Sequence, residues 1–216
     1  MKVFRPIVSN RITQNFGESK ACQENFRGFY PLKVVSKVNG VCPPGFRSFY
    51  ESLGMKGHDG LDIAAWYKEP CYFPVELETT WHAKNEVDRD GGKGVDVISD
   101  KPLALTLVDG SREYNHIKFR FWHLFDSGVY DGQVVKKGQI IGYCDSTGAS
   151  TATHLHWSMK FCLPDGTAMY KNNGYNGAID FTPWYVNEFV GTPMPQKSNV
   201  SNELSKLIFL LKNLGA

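Results

Sequence analysis

Two short segments of the sequence bring together side chains that bind metals and transfer protons. His154 and His156 flank one leucine in the segment THLHWSMKF, and the chain has six histidines in all. In the segment GHDGLD, His58 and Asp62 lie four positions apart around a glycine turn, which lets an imidazole and a carboxylate converge on one ion. A catalytic zinc site takes three protein ligands and leaves the fourth position to water. His58, Asp62 and one histidine of the pair form such a set, which leaves the other histidine for catalysis.

Each of these residues also has an ordinary structural interpretation. The rings of His154 and His156 can make local hydrogen bonds on a polar sheet surface. Asp62 can stabilise a turn, which is a common use of aspartate beside glycine. Asp59 is a rival ligand within GHDGLD, and spacing alone does not exclude it.

The alternation of side chains along a β-strand explains why the two histidines share a face. The polar face of THLHWSMKF comprises His154, His156, Ser158 and Lys160. The opposite, apolar face comprises Leu155, Trp157, Met159 and Phe161. The segment therefore predicts a strand whose apolar side packs on the core and presents the histidines on the other side.

The rest of the chain favours a mainly β (α+β) fold: an antiparallel sheet core with a substrate groove and short peripheral helices. Short apolar runs separated by glycine turns are typical of antiparallel sheets. The predicted strands cover 95–98, 103–108, 117–123, 133–136 and 139–143. Residues 46–53 predict two helical turns that end at Gly54.

Composition sets limits on the class of protein. A chain of 216 residues with 42% hydrophobic and 21% charged residues is ordinary for a globular domain. A net charge of +2 is too small to argue for nucleic acid, although it permits binding to an anionic polymer such as cell wall. The N-terminus lacks the apolar stretch of a signal peptide, and no run reaches transmembrane length. The five cysteines form no C-x-x-C pair, so we expect free thiols, with a Cys22–Cys42 bridge as the alternative.

Four sequence elements, in order, resemble those of the lysostaphin-type (LytM-like) zinc endopeptidases of peptidoglycan. GHDGLD at 57–62 resembles their G-x-H-x-G-x-D element, and FWHL at 121–124 resembles their aromatic-x-His-Leu element. The run GQVVKKGQIIG at 132–142 and the later segments STGAS and HLH resemble their closing run. The resemblance covers roughly residues 57–160, with a weaker likeness at ITQNFG. The loop before HLH lacks the glycine that family members usually carry there, which puts the shape of the groove in doubt.

The resemblance implies that His58, Asp62 and His156 bind one zinc ion, and that His123 and His154 are catalytic. A neutral imidazole can take a proton from water and pass it to the leaving amine. A second imidazole can stabilise the oxyanion that develops on the scissile carbonyl. We expect His154 to be the general base and His123 the oxyanion stabiliser, a division that the sequence does not fix.

His123 conflicts with simple alternation. In the run from Ile117 to His123, strict alternation places His123 on the apolar face with Phe119 and Phe121. A catalytic His123 requires the strand to end before it, or a bulge to turn it over. The alternative is a buried structural histidine.

We expect residues 1–190 to form the zinc metalloendopeptidase domain, with an insertion at about 18–56 that either walls the groove or covers a small satellite core. Residues 191–200 read as a linker. Residues 201–216 contain leucines at helical spacing and predict an amphipathic helix. This helix either docks on its own domain or mediates attachment or self-association.

The expected function is zinc-dependent hydrolysis of stem or cross-bridge peptides in bacterial peptidoglycan. Because the sequence shows no signal peptide, a phage lysin or virion-associated hydrolase, released by lysis, is favoured over a Sec-exported autolysin. The expected partner is peptidoglycan, bound by a monomeric catalytic domain without nucleic acid or membrane insertion. The alternative from another class is a non-catalytic peptidoglycan-binding or regulatory module of the same fold. A structural virion protein is compatible with activity.

Overall fold

The computed structural model describes residues 1–24, 34–77, 79–88 and 91–191, and these residues are mainly β-strands. One short helix, α1 (Phe49–Ser52), and one 3-10 turn (Thr182–Trp184) accompany them. The strands are β1 (Lys2–Arg5), β2 (Ile12–Gln14), β3 (Ala21–Glu24), β4 (Val34–Ser36), β5 (Phe46–Ser48), β6 (Leu61–Ala64), β7 (Pro70–Tyr72), β8 (Val75–Glu76), β9 (Trp81–Asp88), β10 (Gly92–Ser99), β11 (Leu103–Thr106), β12 (Arg112–Trp122), β13 (Leu124–Ser127), β14 (Val134–Val135), β15 (Ile140–Cys144), β16 (His154–Cys162), β17 (Ala178–Ile179) and β18 (Tyr185–Phe189).

A nine-stranded sheet forms the centre of the fold. Its strands lie in the order β14-β9-β10-β12-β16-β6-β2, with β11 paired to β12 and β17 paired to β16. Every pairing in this sheet is antiparallel. The predicted fold class, mainly β with an antiparallel sheet core, is confirmed.

Strand β16 lies between β12 and β6 and carries the THLHWSMKF segment. Its apolar residues Leu155, Trp157, Met159 and Phe161 are at most 1% exposed, as the alternation predicted. They pair with apolar positions on both neighbours: Phe121 and Leu61 lie opposite Trp157, for example. This buried layer fixes the orientation of the strand and therefore of its polar face.

The polar face of the sheet is also largely buried, and its charges are paired. Asp96 on β10 accepts hydrogen bonds from Lys118 Nζ at 2.8 Å and from Arg120 Nε and Nη2 at 2.8 and 2.9 Å. A buried carboxylate needs such partners because desolvation of an unpaired charge is costly. The guanidinium of Arg120 in turn lies 4.8 Å from the ring of Trp122, which faces His156 across the strands.

The segment predicted as a helix at 46–53 is only partly helical. Residues Phe46–Ser48 form β5, which pairs with β3, and the helix is confined to Phe49–Ser52. Gly54 follows it with a φ of +74°, as a C-terminal glycine requires. The pairing with a distant strand, which local sequence does not reveal, took the first residues out of the helix.

The insertion at about 18–56 contains a small sheet of its own, ordered β4-β3-β5. A disulfide joins Cys22 to Cys42. The expectation of free thiols is therefore wrong for this pair, because the turns of the insertion bring the two Cα atoms to 5.7 Å, within reach of a disulfide. Cys71, Cys144 and Cys162 are free and buried.

The linker and the amphipathic helix predicted for 191–200 and 201–216 lie outside the described residues, except for Gly191, and stay predictions. So does the assignment of 1–190 to one metalloendopeptidase domain. Within the part of the chain that the structure describes, none of the helices has the length and apolar character needed to cross a membrane.

Candidate metal centre and catalytic histidines

The turn that carries His58 packs directly on neighbouring backbone. A Cβ atom at Gly57 would lie 2.4 Å from the carbonyl oxygen of Gly17. A Cβ atom at Gly60 would lie 2.6 Å from the carbonyl oxygen of Trp157 and 2.8 Å from Cε1 of His156. Only glycine fits such close approaches, so the two glycines of the motif press the turn against β16. The same turn leads into β6, where Asp62 pairs with His156 across the sheet.

His58, Asp62 and His156 converge through one atom each. The distance from His58 Nε2 to Asp62 Oδ1 is 3.1 Å, and that from His156 Nδ1 to the same oxygen is 3.0 Å. His58 Nε2 and His156 Nδ1 are 3.0 Å apart. The three predicted ligand atoms therefore form a nearly equilateral triangle. Each of the three residues is at most 9% exposed.

Each imidazole of the triangle has an oxygen beside its other ring nitrogen. His58 Nδ1 lies 3.2 Å from the carbonyl oxygen of Asn15, which accepts its proton. His156 Nε2 lies 3.5 Å from Asp59 Oδ1. Partners of this kind fix the tautomer of metal-binding histidines, since the nitrogen that donates leaves the other with a free lone pair.

The triangle has a strong electrostatic preference for positive charge. Burial favours the neutral form of Asp62, but hydrogen bonds from His156 and His58 outweigh it and hold the pKa of Asp62 below its ordinary value. Burial likewise favours neutral His58, yet the hydrogen bond and charge of Asp62 raise the pKa of His58 above its ordinary value. A site that attracts a proton in this way also attracts a metal cation.

Two aspartates compete for the role of carboxylate ligand. Ligand atoms of His58, Asp59 and His156 fall within 4.8 Å of one another, so this trio also could hold an ion. Asp62 is the closer carboxylate, because one of its oxygens lies within 3.1 Å of both imidazoles. Asp59 approaches the other nitrogen of His156 and is paired with Lys160.

The structure resolves the conflict at His123. Strand β12 ends at Trp122, and His123 adopts a left-handed backbone conformation with a φ of +63°. Its N–H donates to the carbonyl oxygen of Gly91 at 3.1 Å, and its own carbonyl accepts from Asp145 N at 3.0 Å. Residues other than glycine uncommonly adopt such a φ, and backbone strain of this type concentrates at functional sites. The reversal moves the ring off the apolar face and towards the triangle.

His123 and His154 lie side by side next to the triangle. Their ring centroids are 4.6 Å apart, and the ring of His123 is 6.0 Å from that of His156. His154 Nε2 lies 3.6 Å from Asp62 Oδ2. All five residues predicted from the sequence are therefore brought together in one site.

Both of these rings use Nδ1 for a backbone contact. His123 Nδ1 donates to the carbonyl oxygen of Thr147 at 2.7 Å, and His154 Nδ1 lies 2.8 Å from the carbonyl oxygen of Ala152. Because a carbonyl can only accept, Nδ1 carries the proton and the neutral rings expose Nε2 as an acceptor. Burial, followed by the neighbouring His154 and His156, lowers the pKa of His123 to about 3, so this ring is held neutral.

Three contributors to the site were not assigned from the sequence. Asn15 and Thr147 act through backbone carbonyls, which no side-chain pattern reveals. Lys160 was placed correctly on the polar face of the strand, but nothing in its spacing distinguished it from a solvated lysine. Its position on the same face as two histidines was the available signal.

Comparison with known proteins shows that part of the chain is similar to peptidases. The family model "Peptidase family M23" matches residues 105–170, which include His123, His154 and His156. An L-Ala–D-Glu endopeptidase of Bacillus subtilis (strain 168) is 32% identical over 134 residues, covering 56% of this chain and 32% of that protein. An uncharacterized metalloprotease of Haemophilus influenzae is 28% identical over 133 residues, covering 61% of this chain and 24% of that protein. The chain thus spans about a third or less of the length of these curated relatives.

Solved structures of similar proteins include two peptidases. The catalytic domain of lysostaphin from Staphylococcus simulans is 24% identical, with a TM-score of 0.40, covering 73% of this chain and 86% of that one. A zinc-containing peptidase from Vibrio cholerae is 18% identical, with a TM-score of 0.49, covering 87% of this chain and 41% of that one. The family model and the motifs that lie within it show that residues 105–170 are similar to peptidase family M23.

Proposed function

We propose that the protein is a zinc-dependent endopeptidase that hydrolyses stem or cross-bridge peptides of bacterial peptidoglycan. The observation that carries this proposal is the triangle of His58 Nε2, Asp62 Oδ1 and His156 Nδ1, with sides of 3.0–3.1 Å. All three atoms are acceptors when each imidazole carries its proton on the other nitrogen. Three buried acceptors at this separation repel one another unless a positive charge lies between them.

The triangle fits zinc in both donor type and size. Zinc in catalytic sites takes imidazole and carboxylate ligands at about 2.0–2.2 Å in tetrahedral geometry, which corresponds to ligand atoms about 3.3–3.6 Å apart. The observed sides reach this separation after outward movements of a few tenths of an ångström. When bound, zinc polarises a carbonyl and lowers the pKa of water towards neutrality. The remaining chemistry falls to the neighbouring histidines.

His123 and His154 supply two acceptor nitrogens beside the triangle. Either Nε2 can receive a proton from attacking water and return it to the leaving amine. In the expected division, His154 is the base and His123 stabilises the oxyanion. Because the Nδ1 proton of His123 is committed to Thr147, this division requires His123 to gain a proton on Nε2 before it can donate. The reverse division places the same requirement on His154, whose Nδ1 faces the carbonyl oxygen of Ala152, so the two neutral rings favour neither division.

Peptidoglycan as the substrate is supported by the family and by the described activity of the Bacillus relative. The Cys22–Cys42 disulfide supports a site of action outside the cytosol, since disulfides persist in oxidising compartments. A phage lysin or virion-associated hydrolase that reaches the wall on lysis stays part of the proposal, as does a monomeric catalytic domain.

Two measurements on the purified protein test the proposal. Protein prepared without chelators should contain one zinc ion per chain, and it should release peptide fragments from purified sacculi that mass spectrometry can identify. His154→Ala should keep zinc and lose activity, whereas His156→Ala should lose both. His82→Ala, at a partly exposed histidine on β9, serves as the control and should change neither. Protein that neither contains nor takes up zinc, and cuts no sacculi, would support the non-catalytic binding module instead.

A further inference from the structure

Lys160 lies on the polar face of THLHWSMKF, and the proposed chemistry does not explain why this lysine is buried. It is 1% exposed, and it lies directly opposite Lys118 on β12. Burying a lysine costs several kcal/mol unless the charge is paired, and a like charge on the neighbouring strand adds to this cost. Lys118 is satisfied by Asp96 at 2.8 Å, so Lys160 needs a partner of its own.

The partner of Lys160 is the second aspartate of the GHDGLD turn. Lys160 Nζ lies 3.3 Å from Asp59 Oδ2 and donates to the carbonyl oxygen of Asn176 at 2.9 Å. The other oxygen of Asp59 lies 3.5 Å from His156 Nε2. A continuous row therefore runs from the lysine through the carboxylate to the imidazole.

The row ends on the nitrogen of His156 that does not face the triangle. When zinc binds His156 Nδ1, which faces Asp62 and His58, the ring proton belongs on Nε2, towards Asp59. A bound zinc ion requires His156 to move outward, and this movement also changes the distance between His156 Nε2 and Asp59 Oδ1. A carboxylate at this position fixes the tautomer and orientation of a ligand histidine, and losing it typically costs 10–100-fold in metal affinity.

We propose that Asp59, held in place by buried Lys160, is a positioning residue that orients His156 for metal binding rather than a ligand itself. This inference rests on the proposed zinc function. It explains why a lysine is buried beside a cation site: its charge is separated from the metal by Asp59, which it anchors. It also assigns the two aspartates of GHDGLD different tasks, Asp62 as ligand and Asp59 as support.

Zinc affinity, measured by competition with a chromogenic chelator, tests this assignment on the whole 216-residue chain. We expect Asp59→Ala and Lys160→Met each to weaken zinc binding about 10–100-fold while one zinc per chain still binds at saturation. Asp59→Asn keeps an oxygen acceptor for His156 Nε2. It should therefore keep most of the zinc affinity that Asp59→Ala loses. Lys118→Met is the matched control, because it removes an equally buried lysine from an ion pair on the adjacent strand. Its zinc affinity should stay within about twofold of wild type, whatever it does to thermal stability.

The outcomes separate the inference from the proposed function. If the wild type binds no zinc, the proposed function fails and the inference fails with it. If the wild type binds zinc and Asp59→Ala binds it equally tightly, only the inference is overturned. Loss of saturable binding in Asp59→Ala, with binding retained in Asp62→Ala, would overturn it by making Asp59 the ligand. Should Lys160→Met not fold, the comparison of Asp59→Ala with Asp59→Asn decides alone.

Discussion

Replacing Trp157 should test how the apolar face of β16 supports its histidines. Trp157 is fully buried, with its ring centroid 4.5 Å from that of Phe181 and stacked 6.1 Å from that of Phe121. Truncating a buried aromatic residue to alanine typically costs about 3–5 kcal/mol. For a domain of this size, Trp157→Ala should therefore lower Tm by about 6–20 °C, at about 2–4 °C for each kcal/mol.

A phenylalanine at the same position should cost much less. Trp157 Nε1 is buried and has no hydrogen-bond partner among the residues that the structure describes. An unpaired buried donor costs about 1–3 kcal/mol, so Trp157→Phe removes that penalty while it leaves a smaller cavity. We expect a net loss of about 1–2 kcal/mol from the two opposing effects.

Urea denaturation of the zinc-free proteins, followed by far-UV circular dichroism, measures both variants. Without zinc, the difference reports packing alone, because a bound ion would add its own stabilisation. At low temperature both variants should still bind one zinc ion, since neither change touches a ligand. The reasoning is refuted if Trp157→Ala costs less than about 1 kcal/mol or if Trp157→Phe is the more damaging change.

Two further predictions concern the turn and the buried ion pairs. Gly60→Ala should weaken zinc binding more than it lowers the stability of the zinc-free protein, because its Cβ would meet Cε1 of His156; chelator competition checks this, and unchanged affinity would contradict it. Asp96→Asn should lower the free energy of unfolding by about 3–5 kcal/mol at pH 7, since it leaves buried cations without their carboxylate. Burial opposes ionisation of Asp96, but Arg120 and Lys118 outweigh it and lower its folded-state pKa. Its contribution is thus complete above the unfolded value of about 3.9 and fades as pH falls towards the folded value. Urea denaturation at pH 7 and at pH 3 should show a smaller difference in the free energy of unfolding between wild type and Asp96→Asn at the lower pH. An equal difference at both pH values would contradict this prediction.

Much of the fold was accessible from the sequence because it depends on short-range patterns, whereas the resemblance to a known family implied the five proposed site residues. The alternation in THLHWSMKF correctly predicted which residues are buried in the core. The order of the motifs predicted that His58, Asp62, His123, His154 and His156 meet.

The features that escaped prediction depend on contacts between distant segments. His123 adopts its left-handed backbone where it makes hydrogen bonds to Gly91 and Asp145, two residues distant from it in the sequence. Phe46–Ser48 joined a sheet through pairing with β3, which overrode a helical pattern. The Cys22–Cys42 disulfide was an open alternative because spacing does not determine connectivity.

Anomalous X-ray scattering at the zinc edge, from a crystal of the protein grown with zinc, tests the proposed metal centre. We expect one zinc peak at about 2.0–2.2 Å from each of His58 Nε2, Asp62 Oδ1 and His156 Nδ1. A peak bound by Asp59 with Asp62 outside the coordination sphere would contradict the assignment of ligands. No peak in crystals grown with zinc would contradict the metal centre itself.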